Sequence, residues 1–373
     1  MKDVSNMRPI RVLHVGPGWG QRGGIASVLE ELKAFSDVFL ARGVSVRFCE
    51  THGFRRSSGM LRFLVTDVPN FLRHLIGGVD IVHLHVSVKG SFYRKLLLCA
   101  IALLLRKRIV FHLHAGNFST FVCESKRFVT DVARAFLRAS NAMIGVSHAI
   151  AEELVELGGD RARLFVVGNS ASLAERALAE AGPCDPARVE EPPHILFAGR
   201  LAETKGIGDL LEAVALLVAR GVAVRLIVAG SGDLKRWEDE AHRLSIRDRV
   251  VFPGWLEGDD KLECYRTARI FCMPSHYEAF GIATLEAMFA GLPVVGTSVG
   301  GFPDLVEQGR SGFLVSPSNP SELAQALRTL LDDDALAAEM GRRGRQQAFE
   351  RFSCNSIVER YVDVYRRTMR SKP

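Results

Sequence analysis

The sequence predicts an α/β fold made of two Rossmann-like doubly wound parallel-sheet domains that face a cleft. Apolar, β-branched runs alternate with helical patterns over residues 10–169, and the alternation restarts at residue 194. Strands that are apolar on both faces are typical of parallel sheets covered by helices. Between the two series, residues 179–193 contain four prolines and no periodicity. The 373 residues also exceed one ordinary core.

Each series supplies one sheet. The first predicts a helix near 24–42 and strands near 10–16, 45–50, 80–85, 108–114, 142–147 and 163–169. The second predicts strands near 194–200, 224–230, 250–254, 270–275, 293–297 and 312–315. We therefore expect an N-terminal domain over residues 1–182 and a C-terminal domain over residues 183–354. Ligands of such sheets bind at the carboxyl ends of the strands.

Charge divides the chain unevenly. Residues 1–190 carry 25 Lys and Arg against 17 Asp and Glu, whereas residues 191–353 carry 18 against 23. Between residues 40 and 140 the counts are 16 against 5, which predicts an anionic partner for the first domain. The sequence shows no basic helix interleaved with aromatics and no RNA-binding signature, so nucleic acid is disfavoured. A membrane surface or a phosphate-bearing acceptor fits better.

One apolar segment bears on the membrane hypothesis. Within residues 92–108, ten apolar residues are bracketed by five basic ones. The five are Arg94, Lys95, Arg106, Lys107 and Arg108. The run is too short to span a bilayer, which takes about 20 residues. A buried helix of a doubly wound sheet is the simpler interpretation, and a helix lying on an anionic leaflet with its basic ends near the headgroups is the alternative.

Cysteine usage and the first residues predict a cytoplasmic protein. Seven scattered cysteines form no C-x-x-C pair, which is typical of reduced thiols. The first ten residues lack the apolar core of a signal peptide. Peripheral binding to the inner face of the cell membrane stays open as an extension of the charge pattern.

Two loops that follow a first strand are suited to phosphate. The loop at residues 16–24 misses the G-x-G-x-x-G spacing, so a nicotinamide enzyme is disfavoured. Gly23 and Gly24 nevertheless stand at a helix start, where amides approach a phosphate closely, although glycines that merely turn the chain explain the stretch equally well. In the second series Arg200 ends a strand and Lys205 precedes a helix, which suits a diphosphate better than a solvated surface pair.

Two glutamates stand eight positions apart in SHYEAFGIATLEAM, residues 275–288. A loop leads into a helix over residues 282–290 that begins at Gly281. Glu278 then precedes the helix, and Glu286 lies in its second turn. A long, partly anionic ligand would suit that helix end, because exposed N–H groups and the helix dipole favour its negative part.

Histidines occur in pairs at two strand ends, His83 with His85 and His112 with His114. Alternation places each pair on one face, so a zinc site is conceivable, but no carboxylate or cysteine with ligand spacing accompanies them. The only Asp-x-Asp spacing lies inside residues 332–334, in an expected turn between helices. We therefore predict no metal and no cofactor.

Taken together, these residues resemble the family 4 glycosyltransferases, which are retaining enzymes of the two-domain GT-B architecture. The Glu-x7-Glu pattern of that family matches EAFGIATLE, residues 278–286, and its phosphate motif matches GRLAETKG, residues 199–206. The match covers essentially the whole chain and is most specific in the second domain. VVGNSAS departs from the family's Pro-Asn-Gly, because Gly168 and Ser170 occupy the outer two positions.

The resemblance implies a role for each matched residue. Arg200 and Lys205 would hold the diphosphate of the donor. Glu286 would bond the ribose hydroxyls, Glu278 would contact the donor sugar, and His114 would approach that sugar. Further contacts to the sugar and phosphates would come from Gly23, Gly24, Phe280, Gly281, Ile282 and Ala283.

The implied activity moves a sugar from a nucleotide-diphosphate-sugar to a glycan or polyprenyl-linked acceptor bound by the basic first domain. It would be a metal-independent, retaining hexosyltransferase of bacterial surface polysaccharide biosynthesis. The last helix, residues 355–373, would cross back onto the first domain. Two alternatives stay open: a nucleotide-sugar 2-epimerase of similar architecture, and a catalytically idle membrane-associated subunit, against which the intact motif residues argue.

Overall fold

The computed structural model describes residues 8–18, 24–53, 57–171 and 192–371. Most of the predicted linker and Gly23 lie outside the described residues. The chain divides into two units, of which the first comprises residues 1–170 with 354–373 and the second comprises residues 171–353. Each unit is built on a six-stranded parallel sheet with helices around it. The predicted α/β fold with two doubly wound sheets is confirmed.

The first unit alternates strands and helices. Its strands are β1 (Ile10–Pro17), β2 (Val44–Thr51), β3 (Ile81–Val86), β4 (Arg108–Leu113), β5 (Ala142–Gly145) and β6 (Leu164–Val166). The helices among them are α1 (Gly24–Ala34), α2 (Ser36–Ala41), α3 (Ser57–Arg62), α4 (Val68–Ile76), α5 (Gly90–Leu104), α6 (Phe118–Cys123), α7 (Arg127–Ala139) and α8 (His148–Glu156). The strand order is β2-β1-β3-β4-β5-β6, so the order reverses between β1 and β3, as in flavodoxin-like sheets.

The second unit repeats the alternation. Its strands are β7 (His194–Ala198), β8 (Arg225–Ala229), β9 (Val250–Gly254), β10 (Ile270–Met273), β11 (Val294–Thr297) and β12 (Gly312–Val315). Its helices are α9 (Ile207–Ala219), α10 (Leu234–Arg243), α11 (Gly258–Thr267), α12 (Ile282–Ala290), α13 (Phe302–Leu305), α14 (Pro320–Asp332) and α15 (Asp334–Phe352). The order β12-β11-β10-β7-β8-β9 is that of a Rossmann sheet, with its switch point between β7 and β10.

The C-terminal helix α16 (Cys354–Arg370) belongs to the first unit. Its buried face contains Ile357, Val358, Tyr361, Val362, Val364, Tyr365 and Thr368. The hydroxyl of Tyr365 lies 2.8 Å from Nδ1 of His83 on β3, and Arg42 reaches Asn355 at 3.1 Å from the end of α2. These contacts make α16 part of the helical cover of the first sheet.

The helix predicted near residues 24–42 forms as two helices that break at Phe35. Ser36 Oγ donates to the carbonyl of Lys33 at 2.6 Å, and the Phe35 side chain is fully buried. A serine hydroxyl that bonds a nearby carbonyl competes with the helical backbone ladder. Local hydroxyl chemistry and burial of one aromatic ring therefore explain the break.

The apolar segment at residues 92–108 forms most of α5, which packs on the first sheet as the simpler interpretation has it. Lys95 lies on the buried side, with only 1% of its surface exposed, so it cannot serve as a headgroup ligand. Its ammonium donates to Thr51 Oγ1 at 2.8 Å, and Thr51 Oγ1 donates to the carbonyl of Gly16 at 2.8 Å. Lys95 thus supports the carboxyl ends of β1 and β2.

In the part of the chain that the structure describes, we find no helix whose length and apolar character would let it cross a bilayer. Six of the seven cysteines lie in the same part, and none of the six forms a disulfide. The thiols at Cys49, Cys99 and Cys272 are buried, and burial raises the pKa of each of these thiols.

We predict that Lys95→Met stabilises the protein more at pH 6 than at pH 9.5. Burial lowers the pKa of Lys95 from 10.5 to about 7, so between these values the unfolded chain binds a proton that the folded chain does not. The stability of the wild type therefore rises with pH across that window. The cost of burying the charge is at most on the order of 4–5 kcal/mol below pH 7 and vanishes above pH 10.5.

Thermal unfolding of wild type and Lys95→Met at both pH values measures this effect. Exposed Lys126 in the same unit is the control, and its substitution by Met should change Tm equally at both pH values. If Lys95→Met raised Tm by the same amount at pH 6 and pH 9.5, the result would contradict a buried amino group whose pKa is about 7.

Candidate functional site

The loops after β7, β10 and β11 leave the second sheet around its switch point. Ligands of open α/β sheets bind at the carboxyl ends of the strands on either side of such a point. These loops and the helix starts that follow them contain most of the residues that the sequence singled out.

The loop after β7 touches the loop after β10 through backbone. It ends at Gly206, the residue before α9, whose φ of 69° is left-handed. A Cβ at Gly206 would lie 1.9 Å from the carbonyl oxygen of Pro274. The N–H of His276 also donates to the carbonyl of Thr204 at 2.9 Å. Glycine is therefore required where the loops meet, and this approach sets the position of the neighbouring Lys205.

Lys205 and Glu278 form an ion pair across the two loops. The ammonium lies 2.5 Å from Oε2 of Glu278, and the two side chains are only 17% and 14% exposed. Both charges have lost much of their water, so removing one partner would leave the other poorly compensated. The sequence placed these residues separately on phosphate and sugar. Nothing in their 73-residue separation indicates the pair.

The backbone of Glu278 is held by the loop after β11. The N–H of Gly301 donates to the carbonyl of Glu278 at 2.9 Å. A Cβ at Gly300, which has a φ of 54°, would lie 1.8 Å from the same carbonyl oxygen. Glu278 is thus fixed through its side chain by one neighbouring loop and through its main chain by another.

The helix α12 begins at Gly281, as the sequence predicts. Gly281 has a φ of 102° and offers no side chain to cap the helix. The first N–H groups of a helix, here from Ile282 and Ala283, have no intrahelical partner and carry the positive end of the dipole. Phe280 is buried against Phe352, with ring centroids 5.6 Å apart in an edge-to-face contact. A packed aromatic therefore anchors a helix end suited to anions.

Glu286 lies in the second turn of α12, and its carboxylate is held by two donors on α11. Lys261 Nζ lies 2.6 Å from Oε1, and the hydroxyl of Tyr265 lies 2.8 Å from Oε2. Burial and the adjacent Glu286 charge raise the pKa of Tyr265 well above its ordinary value, so the phenol keeps its proton and donates it. Sequence reasoning missed Lys261 and Tyr265, because α11 carries no motif.

Three further predicted site residues, Arg200, Gly24 and His114, take no part in the contacts described above. Arg200 is exposed just after β7 in the second unit. Gly24 begins α1 in the first unit, and open space surrounds the position of a Cβ there. His114 follows β4 and bonds His85 at 2.8 Å, and burial lowers the pKa of His114 to about 3. His114 is therefore neutral at physiological pH.

Residues 332–334 each have their own structural contact. Asp332 pairs with Arg328 at 3.1 Å, and Asp334 pairs with Arg269. Asp333 caps α15 by accepting from the N–H of Leu336 at 2.9 Å. The three carboxylates stand where α14 ends and α15 begins, with Asp333 alone between the two helices, so the turn that the sequence predicts is a single residue.

Two family models match this chain in sequence. The model described as Glycosyltransferase Family 4 matches residues 22–175, and the one described as Glycosyl transferases group 1 matches residues 185–347. Together they cover most of the chain, including both halves of the fold. The chain belongs to the family 4 glycosyltransferases.

Individual relatives of this chain agree with the family models. An uncharacterised glycosyltransferase of Methanocaldococcus jannaschii is 38% identical over 47% of this chain and 45% of its own length. The D-inositol 3-phosphate glycosyltransferase of Streptomyces avermitilis is 34% identical over 62% of this chain and 53% of its own. The chain thus spans about half the length of these relatives.

The chain also shares its fold with a solved structure. The crystal structure of the Anabaena protein HepE in complex with UDP and glucose matches with a TM-score of 0.73 at 21% identity. The match covers 95% of this chain and 98% of that one. At this identity the likeness shows the fold, which is GT-B.

We predict that Gly206→Ala destabilises the protein by roughly 2–4 kcal/mol, because the new methyl group would force the Pro274 carbonyl to move. The control is Gly221→Ala, which has a similar φ of 76° but open space around the Cβ. That change should cost only about 1–2 kcal/mol, the usual penalty of a left-handed alanine. Urea unfolding compares the two, and equal losses would show that the loop contact imposes no constraint.

Proposed function

We propose that the chain is a retaining, metal-independent glycosyltransferase that takes its sugar from a nucleotide-diphosphate-sugar. The observation that carries the proposal is the Lys205 ammonium, bound to the glutamate that precedes the open N-terminus of α12. A cation next to the amides of a helix end suits a diphosphate. The similar fold of HepE, whose structure contains UDP and glucose, supports a donor of this class.

Glu286 is assigned to the ribose hydroxyls of the donor. Lys261 and Tyr265 occupy one lone pair on each carboxylate oxygen and fix the direction of the group. An ionised carboxylate has about four acceptor sites, so two remain for a pair of adjacent hydroxyls. Glu278 is assigned to the donor sugar. Its carboxylate shares the Lys205 ammonium with the incoming diphosphate.

In the proposed reaction, the bond from the anomeric carbon to the diphosphate oxygen breaks, and its electron pair leaves with the diphosphate. The acceptor oxygen bonds the same face of that carbon, and its proton passes to a departing phosphate oxygen. Configuration is retained, and no side-chain base is needed. Arg200, Lys205 and the N-terminus of α12 stabilise the growing negative charge. His114, of the first unit, is assigned a contact to the sugar.

Lys205→Ala should lower the rate of sugar transfer by roughly 10²–10³-fold, the usual effect of removing one preorganised stabilising group. Lys235→Ala is the matched control, because Lys235 is a lysine of the same unit with an 83% exposed side chain. The transfer rate of Lys235→Ala should stay within about twofold of the wild-type rate. Radiolabelled transfer from a panel of nucleotide sugars to lipid and glycan extracts measures both.

A folding defect is separated from a chemical one by the double variant Lys205→Met with Glu278→Gln, which removes both charges of the pair. It should keep the Tm of wild type and lose transfer. Transfer at the wild-type rate by Lys205→Ala would contradict the proposal. Interconversion of nucleotide sugars without an acceptor would identify a 2-epimerase, and a folded protein that binds no donor would point to an idle subunit.

We further propose that the acceptor is anionic and lipid-linked, as in the assembly of a bacterial surface polysaccharide. The basic excess over residues 40–140 favours a phosphate-bearing acceptor. The S. avermitilis relative, named for a phosphorylated inositol, supports an acceptor of that charge. A lipid-linked acceptor would also explain the apolar surface of α3, the adjoining π-helical turn (Phe63–Asp67), α4 and α5.

That apolar surface is exposed on neighbouring helices. On α5, Tyr93, Leu97 and Leu104 are 47%, 41% and 83% exposed, at spacings that place them along one side of the helix. On α3 and the π-helical turn before α4, Leu61 and Val65 are 63% and 65% exposed. Basic residues with exposed side chains in the same region are Arg62, Arg73, Lys89 and Arg106. Apolar stripes beside basic groups suit an anionic leaflet.

The double variant Leu97→Glu, Leu104→Glu should lose binding to vesicles that contain anionic lipid, because it removes apolar area and adds two like charges. Leu40→Glu on α2, where the leucine is 56% exposed, is the control and should bind like wild type. Co-sedimentation with phosphatidylcholine vesicles, with and without phosphatidylglycerol, measures binding. Equal binding to both vesicle types, or no binding by the wild type, would refute an anionic membrane partner.

A further inference from the structure

Five histidines share one face of the first sheet. Register places His14 of β1 beside His83 of β3, and His85 of β3 beside His112 of β4, with His114 directly after β4. All but His114 are fully buried, and Tyr361 and Tyr365 of α16 lie against their rings. A core face would ordinarily be apolar, so this cluster needs its own explanation.

The cluster is a single hydrogen-bonded chain. Five contacts join six side chains, and in every ring except His114 the Nδ1 atom faces Nε2 of a neighbouring ring or the Tyr365 oxygen. In order they are His112 Nδ1 to His83 Nε2 at 3.1 Å, His83 Nδ1 to Tyr365 Oη at 2.8 Å, Tyr365 Oη to His14 Nε2 at 3.2 Å, His14 Nδ1 to His85 Nε2 at 2.9 Å, and His85 Nδ1 to His114 Nε2 at 2.8 Å. Each contact has room for one proton.

Every group in the chain is neutral. Burial lowers the pKa of all five histidines, to about 3 for His14 and His114, and raises the pKa of Tyr365 well above its ordinary value. A neutral imidazole donates from one nitrogen and accepts at the other. Because each contact holds a single proton, the tautomer of one ring decides the tautomer of the next. A third arrangement, in which His83 and His14 both donate to the Tyr365 oxygen, would leave the buried Tyr365 hydroxyl proton without an acceptor among the described residues. The five rings therefore all carry their proton on Nδ1, or all carry it on Nε2.

The closed end of the chain decides between these two states. His112 Nε2 is buried and has no hydrogen-bond partner among the described residues. If the rings carried Nε2–H, a buried N–H would be left unpaired at His112, whereas Nδ1–H leaves only a lone pair there. Unpaired buried N–H groups are the rarer defect in folded proteins. The Nδ1–H state is therefore favoured throughout.

We infer that the chain holds His114 in the Nδ1–H tautomer, so that His114 presents a hydrogen-bond donor and not a lone pair beyond β4. His85, His14 and Tyr365 are then positioning residues that act through His114. The group that His114 would bind is an oxygen acceptor, such as a sugar hydroxyl or a phosphate oxygen. That last step rests on the proposed function, whereas the tautomer does not.

The same nitrogens lie close enough to suggest a metal site. Two groups of three, His14 with His83 and His85, and His85 with His112 and His114, have ligand atoms within 4.8 Å of one another. A metal bound by imidazole lies near the plane of the ring, but His83 and His85 are stacked at 4.4 Å with only 3° between their planes. Two stacked rings cannot both point at one ion. The ring geometry thus argues against an ion in the first group, which contains both stacked rings, and metal binding by either group becomes an outcome of the test.

The experiment is ¹⁵N spectroscopy of the full protein labelled at histidine, without ligand. Long-range ¹H–¹⁵N correlations should show five histidines with a protonated Nδ1 and a bare Nε2, unchanged between pH 6 and pH 8. Five rings on Nε2–H, mixed tautomers, or charged rings in this range would overturn the inference. So would zinc that binds at one equivalent and replaces the five-ring pattern.

Two tyrosines on α16, four residues apart, provide matched variants. Tyr365→Phe interrupts the hydrogen-bonded chain between His83 and His14. His83 and His112 then leave one buried N–H unpaired in either tautomer, so both tautomers should appear. His14, His85 and His114 should keep Nδ1–H, because Nε2–H on His14 would have no acceptor. Tyr361→Phe removes a buried hydroxyl that has no partner among the described residues and should leave all five signals in place. Identical spectra for the two variants would refute a connected chain.

Adding UDP-glucose then tests the role of the donor group separately. The His114 Nδ1 signal should shift in wild type, and the His112 signals should not. If the five tautomers are as expected but the His114 signal does not shift, the hydrogen-bonded chain stands and a contact between His114 and this donor is rejected.

Discussion

The loops after β7, β10 and β11 meet only because Gly206 and Gly300 carry no side chain. A methyl group at either position would lie within 2 Å of a backbone oxygen of the β10 loop, at Pro274 or at Glu278. Backbone cannot move aside as a flexible side chain can, so these contacts fix the positions of the three loops relative to one another. The Lys205–Glu278 ion pair and the entry into α12 both depend on that geometry.

This arrangement gives the site its electrostatic character. Lys205 already has a counter-charge before any ligand arrives, so the ammonium is held in place and needs little reorganisation. The diphosphate of the proposed donor would then bind an ammonium that is already positioned by Glu278. The carboxylate of Glu286 is likewise held by Lys261 and Tyr265. Groups held in advance cost less to order on binding.

The elements and their order could be predicted from the sequence, because apolar periodicity and glycine placement are local signals. Gly281 as the start of α12 and Lys205 just before α9 are correct for that reason. The partners of the predicted residues could not be predicted, because they come from other loops. Glu278 meets Gly301 only through the strand order, and Glu286 meets Lys261 from a helix without a motif.

The first unit shows the same division. The pairs His83–His85 and His112–His114 were visible in the sequence, but His14 and Tyr365 complete their network from β1 and from the far end of the chain. Lys95 was counted among the basic flanks of an apolar run, yet the turn of α5 places it inside. One position along a helix changes direction by about 100°, which composition alone does not reveal.

The exposed leucines of α5 also have a consequence for the protein in dilute buffer. Without lipid or detergent to cover them, Leu97 and Leu104 form an exposed apolar surface through which two molecules can associate. Repulsion between the basic side chains around that surface opposes association only at low ionic strength, because salt screens it. We therefore expect preparations to self-associate as salt is raised, and mild detergent to keep them monodisperse.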